Sequence, residues 1–136
     1  MKKYIIVLIV LLIMIFMTGC SSDRVDIGVE DGKAYFHDWG ITPEIILHGE
    51  NETVILNDSL FYKLMGLVNG KPIVEDLCNC EAKYNISIHE YALGLHTHGI
   101  EISVPVGRYK KETKVFSVEC TEQEMNELFD VLESAK

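Results

Sequence analysis

The chain carries none of the short motifs that announce common chemistry. G-x-S-x-G, H-E-x-x-H, the phosphate-binding P-loop and G-x-G-x-x-G are all missing from its 136 residues. Nucleophile-elbow hydrolysis, zincin proteolysis and motif-borne nucleotide binding therefore find no support in it. It also lacks C-x-x-C, the spacing that dithiol redox chemistry usually shows at a helix start. Basic residues are few: 12 Lys and Arg stand against 21 Asp and Glu, a formal net charge of −9. A surface of that sign repels nucleic acid and anionic headgroups. No apolar run reaches the roughly 20 residues that a spanning helix wants.

What is present begins with an address. Met1-Lys2-Lys3 is a short positive segment, Tyr4 to Met17 is uncharged, and Thr18-Gly19-Cys20 is followed at once by the polar Ser21-Ser22-Asp23-Arg24. A positive start, a short apolar core and small residues before a boundary are the pattern of a secretory signal. Met17-Thr18-Gly19-Cys20 resembles the lipobox of bacterial lipoproteins, with Met17 where Leu is usual. The resemblance implies that the Cys20 thiol receives a diacylglycerol, such as one carrying palmitate, and that the chain is cut before Cys20. It further implies that the new amine is acylated. Two or more acyl chains hold a protein stably on a membrane where one would not. The expected organisation is a signal peptide over 1–19, a lipidated Cys and short tether over 20–24, and a single domain over 25–136. The expected place is the outer face of the cell membrane, held there by the lipid.

Removal of residues 1–19 leaves 117 residues (136 less 19), and loss of Lys2 and Lys3 takes the net charge from −9 to −11. That length suits one domain with one core. Acidity of this kind is common in secreted domains because it keeps them soluble, and it singles out no partner.

Two helices are predicted. The first runs from Asp58 to about Asn69, capped by Asn57 or Asp58 and stopped by Asn69-Gly70 before Pro72. Its apolar residues Leu60, Phe61, Leu64, Met65 and Val68 share one face. The second runs from Glu122 to about Ser134, with Thr121 and Glu124 as a capping box. Met125, Leu128, Phe129 and Leu132 form its buried stripe.

Between the helices the period becomes two. Tyr84–Ile88, Tyr91–Thr97, Ile100–Val104 and Phe116–Cys120 each alternate apolar with polar or small residues, which predicts four strands with one apolar face. A turn at His89-Glu90 pairs Ile88 with Tyr91, Ile86 with Leu93 and Tyr84 with Leu95. A turn at His98-Gly99 pairs Thr97 with Ile100, Leu95 with Ile102 and Leu93 with Val104, and Gly99 supplies a positive φ. In that register His96 faces Glu101 on the solvent side. Upstream, Asp31-Gly32 predicts a hairpin between Val25–Glu30 and Lys33–His37, and Gly49–Glu52 a second one between Glu44–His48 and Thr53–Leu56. The resulting fold class is α+β, an antiparallel meander with both helices packed on its apolar face.

With Cys20 consumed by lipid, Cys78, Cys80 and Cys120 remain. Outside the cytoplasm thiols tend towards disulfides, and three leaves one over. The meander brings Cys78, Cys80, Cys120, His96 and His98 to one end of the sheet, where thiolate and imidazole would suit zinc or copper. A disulfide among the three Cys and a metal site are both open. His37, His48 and His89 fall in loops or at strand ends and carry no signal. Exposed aromatic residues for a binding surface would be Phe36, Trp39 and Tyr109. The expected function is a membrane-anchored, non-enzymatic binding or interaction domain without a cofactor beyond the covalent lipid. The alternative is a zinc- or copper-binding lipoprotein.

Overall fold

The computed structural model describes residues 2–18, 25–38, 40, 43–75, 77, 81–107, 109 and 111–136. The expected sites Cys20, Trp39, Cys78 and Cys80 lie outside the described residues. Helix α1 spans Lys2–Thr18, and its Tyr4–Leu11 side chains are exposed and take no part in the core. No described helix is long and apolar enough to cross a membrane.

The rest is α+β. Strands β1 (Val25–Glu30) and β2 (Lys33–Asp38) form their own hairpin. Its turn is Asp31-Gly32, both at positive φ (53° and 72°), as a two-residue turn of the primed kind requires. The main sheet has seven strands: β3 (Ile45–His48), β4 (Thr53–Ile55), β5 (Ile73–Val74), β6 (Tyr84–Ile88), β7 (Tyr91–His96), β8 (Gly99–Val106) and β9 (Glu112–Glu119). Their order is β4-β3-β6-β7-β8-β9-β5, and every pairing is antiparallel. Helices α2 (Asp58–Val68) and α3 (Glu122–Ala135) pack alongside it.

Local chemistry sets the helix ends. The Asn57 side chain accepts from the Leu60 amide at 2.9 Å, and Thr121 and Glu124 close the capping box in both directions, at 3.1 and 3.0 Å. Leu60, Phe61, Leu64, Leu67 and Val68 from α2 meet Met125, Leu128, Phe129 and Leu132 from α3 over the apolar sheet face. That face is Ile86, Ile88, Leu93, Leu95, Ile100, Ile102, Phe116 and Val118, all buried.

The β6–β7 register is the expected one, with Ile88 opposite Tyr91, Ile86 opposite Leu93 and Tyr84 opposite Leu95. His89 takes a φ of 52° to make that turn. The β7–β8 register differs. Leu95 pairs with Ile100, Leu93 with Ile102 and His96 with Gly99, so the turn is Thr97-His98. The shift is two residues, and an even shift keeps every apolar side chain on the same face. Gly99 has no positive φ. It is needed for close approach instead, because a Cβ there would come within 2.2 Å of the Val118 carbonyl oxygen and 2.7 Å of Leu77 Cδ2.

The strand missing from the sequence reading is β5. It pairs with β9 at one edge, two strands beyond β8, while the next strand, β6, lies on the far side of β7. The chain must therefore cross three strands to continue. Leu77 lies against Gly99 and Ala82 against Gly94, both on the sheet face away from the helices.

Candidate functional site

One face of the main sheet carries the helices; the other is polar. Between β3 and β8 this outer face holds a depression of about 390 Å³, lined by His48, Asn85, Ser87, Gly94, His96 and Glu101, with Ala82, Ala92 and Ser103 completing its floor and rim. That volume lies in the range of small-molecule sites, about 300–1,000 Å³. Period two explains the set. Asn85 and Ser87 on β6, Ala92, Gly94 and His96 on β7, and Glu101 and Ser103 on β8 all share the parity opposite to the core. Small residues at Ala92 and Gly94 make the hollow, and Ala82 forms its wall. A Cβ on Gly94 would sit 3.4 Å from Ala82 Cβ and 3.4 Å from His96 Nε2, so the backbone there is close but not crowded.

His96 is therefore not where the sequence puts it. It is only 6% exposed and pairs with Gly99, while Glu101 pairs with Gly94, one step along the same face. The solvent-facing His96–Glu101 pair is corrected on both counts. The two-residue register shift moves the partner, and His96 itself is buried.

At the β3 rim, three polar side chains form a chain. His48 Nε2 and Ser87 Oγ are 2.6 Å apart, and His48 Nδ1 is 3.5 Å from Glu52 Oε1 in the β3–β4 loop. His48 and Ser87 are diagonal neighbours, since His48 pairs with Asn85 and Ser87 with Ile46. In the tautomer with the proton on Nδ1, that proton faces the Glu52 carboxylate and Nε2 accepts from the Ser87 hydroxyl. The sequence gives no sign of this array. Its members are separated by up to 39 residues and match no motif, and only the β3–β6 register would have joined them.

The expected cysteine chemistry is revised. Cys120 is a free, buried thiol, and no disulfide forms among the described residues. Its strand parity turns it to the helix side, under Lys71, whose Nζ is 3.4 Å from Sγ and 3.1 Å from Glu124 Oε2. Burial pushes the Cys120 thiol up from its ordinary pKa, against the pull of Lys71. Desolvation draws Lys71 down, but its bonds to Glu124 and Cys120 outweigh it and leave its pKa raised. Among the described residues no group of three His, Cys, Asp or Glu is placed to hold a metal. His98 lies in the exposed turn, and its carbonyl accepts from the Cys120 amide at 2.9 Å. Of the aromatic candidates, Tyr109 is exposed, whereas Phe36 is fully buried against Phe61.

No protein-family model, no curated protein and no solved structure matches this chain.

Proposed function

We propose that the chain is a lipoprotein, tethered through Cys20 to the outer face of a cell membrane, whose domain binds a small polar ligand in the outer-face depression. The anchoring half rests on the signal and lipobox pattern of the first 20 residues. Cys20 stands five positions before Val25, the first residue of β1, so the tether spans at most about 18 Å. The binding half rests on one observation: the polar, helix-free sheet face is hollowed around Gly94 and lined by donors and acceptors from several separate segments. Gly94→Val tests it. Valine suits a strand, the added Cβ meets only ordinary contacts, and the side chain fills the hollow. Ligand-induced stabilisation of the wild type, read across a panel of small polar compounds, should vanish in Gly94→Val at an unchanged denaturation midpoint. Equal stabilisation of both forms would refute the site.

A second reading, a metal site, rests on the sequence pattern of Cys78 and Cys80, which lie outside the described residues, with His96 and His98. Cys120 falls out of such a set because its thiol lies on the helix side beside Lys71. This reading expects one equivalent of Zn²⁺ or Cu⁺ on the reduced protein, with uptake weakened by His96→Ala and by acid, since Cys and His must lose protons to bind. No uptake by the reduced wild type would end it.

A further inference from the structure

We propose that Ser87, His48 and Glu52 form a nucleophilic centre that hydrolyses small neutral carboxylic esters bound in the depression. The inference rests on the depression being a ligand site and goes beyond binding. Ser87 is the penultimate residue of β6, His48 comes from the end of β3, and Glu52 from the loop that follows. Side chains from different segments thus converge in the order nucleophile, base and orienting carboxylate. The 2.6 Å contact is within proton-transfer reach, and both Ser87 and His48 line the depression itself.

The step follows from the geometry. Ser87 Oγ attacks the ester carbonyl carbon as its proton passes to His48 Nε2, and the carbonyl π electrons move onto oxygen. Collapse re-forms the carbonyl and breaks the C–O bond, and the leaving alkoxide takes the proton from Nε2 to depart as an alcohol. Water then attacks the acyl-serine, giving its proton to Nε2. The second collapse breaks the bond to Oγ, which recovers the proton and releases the acid. Ser87 is paired on both sides, with Ile46 and Ala92, so its own amide is committed to the sheet. The donor for the oxyanion must be a side chain. Asn85 stands two residues along the same face, about 7 Å away, and its amide offers two N–H groups. Glu52 beside the array and Glu101 in the lining disfavour substrates that carry a carboxylate. The small floor residues favour a short acyl group.

His48 and Glu52 are 40% and 71% exposed, so water weakens their pairing. The expected enzyme is slow, and Glu52 matters less than the other two. The test uses the full-length chain purified in detergent, a fluorophosphonate probe and para-nitrophenyl acetate. The probe should add to Ser87, located by mass spectrometry of the peptide. Ester turnover should fall at least about 100-fold in Ser87→Ala and in His48→Ala, and less in Glu52→Gln, with denaturation midpoints verifying that each variant folds. Labelling is read on the wild type and so stands even if a variant does not fold. An unlabelled Ser87 overturns the proposal and leaves His48 and Ser87 as a plain cross-strand contact. An unlabelled Ser87 in a protein whose ligand binding is still abolished by Gly94→Val overturns the hydrolytic step alone. Absence of both overturns the binding site as well.

Discussion

Side chains at the two ends of α3 show how single residues report on the fold. The Glu124 carboxyl is held below its ordinary 4.5, first by the Thr121 amide and then by Lys71. A carboxylate with a depressed folded pKa contributes stability above its unfolded value and loses it as pH falls through the folded one. The difference in denaturation midpoint between wild type and Glu124→Gln should therefore be full at neutral pH and vanish in acid; a pH-independent difference would mean the contacts do not form. Tyr84 titrates the other way. Its bond to Glu133, aided by burial, pushes it up to about 12 from 10.0, so its contribution is present below pH 10 and lost as pH rises from 10 to about 12. Phenolate absorbance should show this delayed titration, and Tyr84→Phe should remove the matching loss of stability. Cys120, buried and raised, should resist alkylation in the native chain and react on unfolding; rapid native alkylation would contradict its burial. The expectation of a disulfide failed on the same detail. Compartment and Cys count favour pairing, but the even parity that puts Cys120 beside Phe116 and Val118 turns its thiol into the helix-side core.

Both helices and the strands of the meander were legible because their signals are local. Caps, stripes and two-residue alternation each need only a dozen neighbouring residues. Leu128 is wholly buried, and Leu128→Ala should cost about 2–5 kcal/mol in a denaturation experiment. The β6–β7 register was legible in full, the β7–β8 register only to parity. The His98-Gly99 turn looked favourable because glycine commonly supplies positive φ, whereas Gly99 serves close packing and the chain turns at Thr97-His98. Gly99→Ala should accordingly destabilise by about 1–3 kcal/mol through overpacking against Val118 and Leu77; a neutral result would restore the turn role. Strand β5 was not legible at all. Ile73-Val74 is too short to show a period, and its place beside β9 is fixed by pairing with a strand more than 40 positions later.

At the scale of the whole molecule, the crossover from β5 to β6 decides what the outer face becomes. It brings Ala82 against Gly94 of β7, at the wall of the hollow between β3 and β8. The candidate site was therefore largely hidden in the sequence. Asn85, Ser87, Gly94 and Glu101 could be placed on the polar face by alternation, but nothing local joined β3 to β6. His48 accordingly read as an unremarkable strand-end histidine. The proposed address, by contrast, rests on contiguous residues. Cys20→Ser should abolish lipidation and leave uncleaved precursor, read by labelling cells with a tagged fatty acid; equal labelling of wild type and variant would sink the lipoprotein reading.

The central claim is that ligands enter the outer-face depression, and amide-resolved NMR of the protein during a screen of small polar fragments tests it most directly. Shift changes should cluster on Asn85, Ser87, Gly94, His96, Glu101 and Ser103. Changes concentrated instead on the exposed apolar residues Val54, Leu56 and Tyr62, with the depression silent, would contradict it.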